Sequence, residues 1–240
     1  MVDAGSPTGD VGAARRERIK QRALREILDA AREELRLHGP TGVTMRAVAA
    51  AVDLTPSGLY RHVSGLDELL GLLAADAYEA IGAAMLDARD RASAGDHATE
   101  WYLIGMAMRQ WYITHQPEYE LLMTPRLITS PPDRLRIASG RTLDMLARVC
   151  EDAIEAGQID LERASFTVDS TQAHGGLSAA SRSLSTSALA AMTGHVLFET
   201  AGLFEPAGMD AQKHYGRSLR GVMTLMGFTN APGPLVLATL

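Results

Sequence analysis

Several common sequence signals are missing from this chain of 240 residues. Cys150 is its single cysteine, so no intramolecular disulfide can form and a thiolate cage for a metal is excluded. No His-x-x-x-His or Cys-x-x-Cys pattern occurs, so a metal would need ligands from distant segments. No uncharged apolar stretch reaches roughly 18 residues, which argues against a membrane-spanning helix. The first residues lack the apolar run of a secretory signal, so we expect 1–13 to be a disordered lead-in of a cytoplasmic protein.

A catalytic constellation is also missing. No serine lies in the strand-turn-helix context of a nucleophile elbow, and no period-2 alternation of apolar residues predicts a strand. His195 and Glu199 are four residues apart, and we interpret them as a side-chain pair on one helix rather than as metal ligands. Apolar residues form 46% of the chain and recur at helical spacing. The sequence therefore predicts an all-α protein that is not an enzyme and has no cofactor.

The net charge of −6 is unevenly distributed along the chain. Residues 1–64 carry 10 arginines and lysines against 8 acidic residues, whereas residues 65–240 carry 13 against 21. A difference of this kind can mark a segment that binds nucleic acid. It is modest here, and it supports such a function without establishing it.

The stretch from Thr44 to His62 has the caps and spacing of two short helices with a tight break between them. Thr44 is suited to cap the first helix, and Thr55 the second, with Pro56 at the first helical position, where its missing N–H costs nothing. Asp53 occupies the turn and tolerates left-handed backbone. Such a pair forms a helix-turn-helix. Its candidate contacts with the phosphates and base edges of double-stranded DNA are Arg46, Thr55, Pro56, Ser57, Gly58, Tyr60, Arg61 and His62.

A long amphipathic helix is predicted before this motif, from Ala14 to about His38, where Gly39 and Pro40 end it. These six cations crowd its first turns: Arg15, Arg16, Arg18, Lys20, Arg22 and Arg25. They are either a solvated helix face or a basic arm that lies along the DNA backbone.

Helical spacing continues through the rest of the chain. We expect helices over 66–91, 99–115, 118–128, 133–156, 161–184, 187–204 and 211–226. The predicted domains are a DNA-binding head over 14–64, a helical body over 65–228 and a C-terminal tail over 229–240.

The head resembles the TetR-type transcriptional repressors over about residues 18–73. The residues that carry the resemblance are Thr44, Val48-Ala49, Asp53, Thr55, Tyr60-Arg61-His62-Val63 and the Leu69-Leu70 pair of the fourth helix, with His174-Gly175 similar to one subgroup of the bodies. The resemblance implies a three-helix head joined to a helical body that binds a small-molecule effector and forms a homodimer. It also implies that Tyr60 and His62 contact phosphate; the alternative is that these two rings are part of the packing of the head.

Three positions depart from the family pattern. The family often has Gly in place of Asp53, Phe in place of Val63, and a phosphate-contacting Lys in place of Leu66. The alternative hypothesis is therefore a helical small-molecule-binding or interaction protein whose head has lost operator binding.

Aromatic and methionine side chains cluster in the part of the chain that forms the ligand pocket in similar regulators. At helical spacing they are either ordinary core or the wall of an apolar site with a few polar groups. The candidate ligand-binding residues are Trp101, Tyr102, Met108, Trp111, Tyr112, Met123 and His174.

Small residues recur in the last predicted helices, in the stretches Gly175–Ala180 and Leu189–Met192. Small side chains let helices approach closely, so these helices are candidates for a four-helix interface across a two-fold axis. A dimer would bring two heads to half-sites about 34–36 Å apart. The sequence thus predicts a homodimeric repressor that leaves a palindromic operator when an apolar or amphipathic small molecule binds.

Overall fold

The computed structural model of the chain describes residues 8–166, 176–204 and 208–230. Within these ranges the backbone is helical, with an isolated bridge between Ile159 and Phe228 and no strand. This confirms the predicted all-α fold class. The α-helices are α1 (Thr8–His38), α2 (Met45–Ala51), α3 (Pro56–Leu59), α4 (Leu66–Arg89), α5 (His97–Thr114), α6 (Gln116–Leu122), α7 (Asp133–Glu155), α8 (Ala179–Thr200) and α9 (Ala211–Leu225), and a short 3-10 helix covers Pro125–Leu127.

The first helix begins earlier than the sequence predicts. It starts at Thr8, so residues 8–13, which we expected in a disordered lead-in, are helical. Each residue added to an existing helix gains a hydrogen bond without a new nucleation step, so a packed helix can extend past its last tertiary contact. The predicted start at Ala14 depends on the spacing of apolar side chains, and this spacing shows only the part of a helix that packs on other residues.

The described residues form two compact units. The first contains the chain up to Ala77 together with Pro117–Arg136, and the second contains Tyr78–Gln116 and the chain from Ile137 onward. The first unit is therefore larger than the predicted head, which ended at Ser64.

Contacts between the start of α4 and the segment before α7 explain part of this difference. The carboxylate of Asp67 accepts hydrogen bonds from the backbone N–H groups of Thr129 (2.6 Å) and Ser130 (2.9 Å). The Thr129 N–H bond is the main cause of the lowered pKa of Asp67. A Cβ added at Gly71 would lie only 2.4 Å from Cδ of Pro132, so only glycine allows this close approach.

The carboxylate of Asp76 explains the rest of the difference, because it joins three helices of the first unit. It pairs with Arg32 of α1 at 3.0 Å and with Arg134 of α7 at 2.6 Å. The first half of α4 and the start of α7 therefore fold with the three-helix head.

The core of the head contains apolar residues that the periodicity of α1, α2 and α3 identifies. The buried ones include Leu28, Ala31, Val48 and Leu59, and Val52 and Leu54 are half-buried. Val63 is also buried, with 1% of its surface exposed. The smaller side chain at this departure from the family pattern is therefore part of a closed core.

The second unit is organised around α5, which is buried along most of its length and packs on α8 and α9. Gly105 of α5 faces Leu219 of α9, where an added Cβ would lie 2.6 Å from the leucine Cδ2. Gly216 of α9 faces the Tyr102 hydroxyl, where an added Cβ would lie 2.9 Å away. Small residues at these crossings allow the two helix axes to approach each other closely.

Residues 161–204 differ from the predicted pair of helices. Leu161–Arg163 form a turn, and α8 begins at Ala179 after Ser178 in extended backbone. The carboxylate of Glu151 accepts hydrogen bonds from both the N–H (2.9 Å) and the hydroxyl (2.5 Å) of Ser178, and Oγ of Ser178 accepts from the N–H of Ser181. This cap fixes the start of α8, so the predicted helix over 161–184 is wrong in its first turn, and the predicted break between 184 and 187 lies inside α8.

One helix of the described residues, α4, is long and apolar enough to cross a membrane by length and composition alone. Of its most apolar stretch, 56% is buried inside the protein. Core helices of soluble proteins have the same composition, so the feature is weak evidence for a span.

Candidate nucleic-acid interface and ligand cavity

The two caps of the helix-turn-helix are formed as the sequence predicts. Oγ1 of Thr44 accepts a hydrogen bond from the N–H of Ala47 (3.2 Å), and Oγ1 of Thr55 accepts one from the N–H of Gly58 (3.1 Å). Pro56 occupies the first position of α3. Each cap satisfies a backbone donor that a helix start otherwise leaves unpaired.

The turn between α2 and α3 depends on Asp53. Its φ is 54°, and among the described residues it is the only non-glycine residue with a positive φ. Aspartate tolerates this left-handed conformation better than most residues. The N–H of Leu54 then donates to the carbonyl of Ala49 at 2.9 Å, which closes the turn. Asp53 therefore adopts the left-handed backbone conformation at the position where the family often has glycine.

The predicted DNA-binding side chains form an exposed surface over α3 and the turn after it. Tyr60 is 54% exposed although it is a large aromatic residue, and His62 is half-buried, with its Nδ1 buried and without a hydrogen-bond partner among the described residues. Gly58 is also half-buried. The exposed members of the set are Arg46, Thr55, Pro56, Ser57, Tyr60 and Arg61. Thr55 and Pro56 also form the start of α3, whereas the exposed side chains of Arg46, Tyr60 and Arg61 have no such role and are available to a ligand.

The start of α4 lies directly after this surface. Leu66 is 36% exposed at the first helical position, and the N–H of Ser64 donates to the carboxylate of Glu68 at 2.6 Å. Asp67 and Glu68 suit the positive end of the helix dipole. An exposed leucine therefore occupies position 66, where the family often has a lysine that contacts phosphate.

A cavity of about 480 Å³ lies in the second unit between α4, α5 and α9. Its apolar wall includes Leu103, Met106 and Ala107 of α5. Trp111 completes this wall, with its ring stacked on His115 at 4.5 Å between centroids. The remaining lining residues are Ala84, Asp87, Ala88, Arg91, Gln110, Thr114 and Gln212. A cavity lined by apolar and by polar side chains can hold an amphipathic small molecule.

A larger groove of about 640 Å³ lies elsewhere in the second unit. Charged side chains of both signs line much of it, including Arg141, Arg148, Asp144 and Asp152. Such a surface is better suited to water than to an apolar ligand. The smaller cavity beside Trp111 is therefore the better candidate for an effector.

A buried ion pair joins α5 to α8. Arg109 donates from Nε to Oε2 of Glu199 at 2.8 Å and from Nη2 to Oε1 of the same carboxylate. The side chains of Arg109 and Glu199 are 8% and 13% exposed. The Arg109 guanidinium also lies over the ring of Tyr215, 5.7 Å from its centroid. This pair is not among the contacts predicted from the sequence, although an arginine within the apolar run of α5 is itself a signal for a buried partner.

His195 does not pair with Glu199, contrary to the prediction. Its ring lies among those of His214 (5.0 Å), Phe204 (4.8 Å) and Tyr215 (5.2 Å). Burial lowers the pKa of His195, and nearby His214 lowers it further. The imidazole therefore packs in an aromatic cluster, where burial disfavours its charged form.

Two family models match separate parts of the chain. Residues 27–73 match the model described as bacterial regulatory proteins of the tetR family, and residues 101–222 match the tetracyclin repressor-like C-terminal domain. The second match alone covers half of the sequence.

The chain belongs to the TetR family. HTH-type transcriptional regulators of Mycobacterium tuberculosis and Mycobacterium bovis are each 30% identical to this TetR-family protein over 149 residues, which is 61% of its chain. The chain spans 64% of the length of these curated relatives.

Solved structures share the fold of this TetR-family protein. A protein with unknown function from Rhodococcus sp. RHA1 has a TM-score of 0.68 and 16% identity, over 86% of this chain and 95% of its own. AibR in complex with isovaleryl coenzyme A and operator DNA has a TM-score of 0.53 and 17% identity, over 85% of this chain and 98% of its own. At these identities the likeness shows the fold alone.

The predicted ligand-binding residues of the TetR-family protein fall into different environments. Trp111 lines the cavity of about 480 Å³, whereas Trp101 and Met108 line only a gap of about 20 Å³. Tyr102 and Tyr112 are buried, with 1% and 5% of their surfaces exposed. Met123 is 38% exposed in the first unit, and His174 lies outside the described residues. Of the described candidates, the cavity geometry supports only Trp111 as part of an effector site.

Proposed function

We propose that the protein is a cytoplasmic, homodimeric transcriptional repressor that binds a palindromic DNA operator and is released by an amphipathic small molecule. The exposed surface of α3 and its following turn carries this proposal, because Tyr60 and Arg61 have no packing role there. Residues at the start of the second helix of such a motif contact base edges, and the flanking polar groups contact phosphates. AibR, which has the same fold, is bound to operator DNA and to isovaleryl coenzyme A, and this supports the pairing of the two activities.

Two glycines on α8 and α9 support dimerisation. None of the described residues lies within 4 Å of a Cβ added at Gly194 or Gly221, so no contact with the described part of the chain accounts for glycine at either position. Glycine costs about 1 kcal/mol of helix propensity relative to alanine. Exposed Leu197 and Leu225 lie one turn from them on the same helices. A second copy packed closely on α8 and α9 would account for both the glycines and the exposed leucines.

The release step requires that the effector prefer one of two conformations. A coupling free energy of about 1–3 kcal/mol between cavity and operator is typical of such regulators. The cavity wall of Met106 and Trp111 would hold the apolar part of the effector, and Gln110 and Thr114 would bind its polar part.

Selection of bound duplexes from a random DNA pool tests the proposed function directly. We expect enrichment of a palindrome whose half-sites are one helical turn apart, or a multiple of it. If no sequence is enriched at low salt, the repressor hypothesis is wrong, and an effector-binding protein without operator recognition takes its place.

The Tyr60→Ala variant is expected to weaken operator binding at least tenfold while the fold and the dimer remain unchanged. The ring is 54% exposed, so its removal leaves no cavity, and the loss would come from its contact with DNA. Fluorescence anisotropy of a labelled operator measures the affinity, and circular dichroism checks the helix content. Leu37→Ala, at a side chain that is 54% exposed on α1, is the matched control. Equal affinities for Tyr60→Ala and the unmodified protein would place the DNA-binding surface elsewhere.

The Ala107→Phe variant is expected to fill the cavity and to make the repressor insensitive to its effector. Ala107 lines the cavity on α5, so a larger ring there would occupy space that the effector needs. Operator affinity without effector should stay unchanged, and the effector concentration needed for release should rise at least tenfold. The control is Ala156→Phe, at an exposed position after α7. Unaltered release of Ala107→Phe would remove this cavity from consideration.

A further inference from the structure

The amino-terminal half of α1 has a surface unlike the rest of the head. Every residue from Ala14 to Arg22 is exposed, including Ile19, which is 60% exposed. From Ala14 onward, the first buried residue of the helix is Ile27. The helix therefore continues for at least two turns before its packed part begins.

Four arginines lie on one face of this extension and of the helical turn that follows it. Arg15, Arg18, Arg22 and Arg25 follow one another at spacings of three, four and three residues. With 3.6 residues per turn they fall within about 80° of the helix circumference and span about 15 Å. The core face of α1, marked by Ala31 and Leu35, lies on the opposite side. We call these four arginines the α1 stripe.

The α1 stripe has few partners within the chain. Arg22 pairs with Glu26 in an exposed ion pair, and Arg15, Arg18 and Arg25 have no ion pair or hydrogen bond to the residues that the structure describes. Like charges three or four residues apart repel each other on a helix surface. The contacts that the structure describes for Arg15, Arg18 and Arg25 therefore give no reason for like charges in a row.

The opposite end of α1 is the end that is attached to the rest of the first unit. Arg32 pairs with Asp76 of α4, and an added Cβ at Gly39 would lie 3.9 Å from the carboxylate of Glu120 of α6. The α1 stripe precedes these contacts along the helix, and its four side chains are exposed and open to a partner.

The chemistry of the extension favours DNA over a membrane surface. A helix that binds lipid needs a continuous apolar face opposite its charges, and Ile19 is the only large apolar side chain between Ala14 and Arg22. Duplex DNA presents one phosphate charge for about every 1.7 Å of its axis, so a row of cations about 15 Å long can bind several phosphates.

We propose that the α1 stripe binds the phosphates of duplex DNA beside each half-site, as a second contact independent of base sequence. The inference rests on the proposed operator binding. Phosphate contacts by Lys or Arg release condensed counterions, so they increase affinity for any duplex and make it more dependent on salt. They orient the head on DNA but carry no sequence information.

The test compares two triple variants of the full chain that remove the same number of charges. Arg15, Arg18 and Arg25 are changed to Gln in one, and Arg141, Arg148 and Arg163, all exposed, are changed to Gln in the other. The affinity for the selected operator and for a duplex of unrelated sequence is measured between about 50 and 200 mM sodium chloride. Each lost contact reduces the slope of log affinity against log salt by about 0.9, so loss from both heads reduces it by about five.

The expected result is a reduced slope and an equal loss of affinity for both duplexes in the α1 variant, with the control variant close to the unmodified protein. An unchanged slope in the α1 variant, or the same loss in the control, would overturn the proposal while operator binding stood. A loss confined to the operator would assign these arginines to base reading and would also overturn it. If the unmodified protein binds neither duplex, the proposed function itself has failed. Binding to anionic phosphatidylglycerol vesicles that needs the same arginines, without binding to DNA, would replace DNA by a membrane surface.

Discussion

Arg109→Met is expected to lower the free energy of unfolding by about 3–5 kcal/mol, because it leaves the Glu199 carboxylate buried without its partner. Both side chains are less than 15% exposed, so solvent screens the pair little. The change also removes the guanidinium from the ring of Tyr215. Urea unfolding at fixed protein concentration measures the effect, since the stability of a dimer depends on concentration.

The double variant Arg109→Met/Glu199→Leu is expected to regain most of the lost stability. Well-packed apolar residues often replace a buried ion pair at little cost, whereas one buried charge alone is costly. Arg22→Met, which breaks the exposed pair with Glu26, is the control and should change stability by less than about 1 kcal/mol. If Arg109→Met and Arg22→Met had similar effects, the pair between α5 and α8 would contribute little to the fold.

Gly194→Leu is expected to separate the dimer and to weaken operator binding by about 10²–10⁴, because two linked heads bind far more tightly than one. Leucine is a better helix former than glycine by roughly 1 kcal/mol, so α8 itself should not be weakened. Sedimentation velocity measures the oligomeric state, and titration of a labelled operator measures the affinity. A monomer that keeps its helix content and loses operator affinity is the expected combination.

Gly140→Leu provides a matched control for this experiment. Gly140 lies on α7, and, as at Gly194, nothing within 4 Å would meet an added Cβ. The two variants add the same side chain to open space, and only one of them lies on the proposed interface. Should Gly194→Leu remain a dimer, the two copies must meet through another surface.

Local chemistry explains why the helix-turn-helix could be predicted from the sequence. The caps at Thr44 and Thr55 each join residues three apart, and the left-handed turn depends on Asp53 alone. Such features require no knowledge of distant parts of the chain. Tyr60, a candidate DNA contact in the sequence, is 54% exposed, as such a contact requires.

Distant pairings explain what the sequence could not show. Arg109 and Glu199 are 90 residues apart, and the bond from Ser178 to Glu151, which fixes the start of α8, spans 27 residues. Periodicity places Trp101 and Trp111 on the same helix, but it does not show that Trp111 lines the cavity of about 480 Å³ and that Trp101 lines a gap of about 20 Å³. Whether an aromatic residue is core or ligand wall depends on the neighbouring helices, and their positions are not encoded in local spacing.

The contacts of Asp67, Gly71 and Asp76 have a consequence for chimeric regulators that combine this head with another body. A fusion at Ser64 would separate Asp67 from Thr129 and Ser130, and it would divide the three helices that meet at Asp76. The transferable module is therefore discontinuous: it consists of the chain up to Ala77 together with Pro117–Arg136. A chimera that contains both stretches keeps the contacts of Asp67 and Asp76 that join α4 to the second stretch. A chimera that contains only the first stretch loses these contacts.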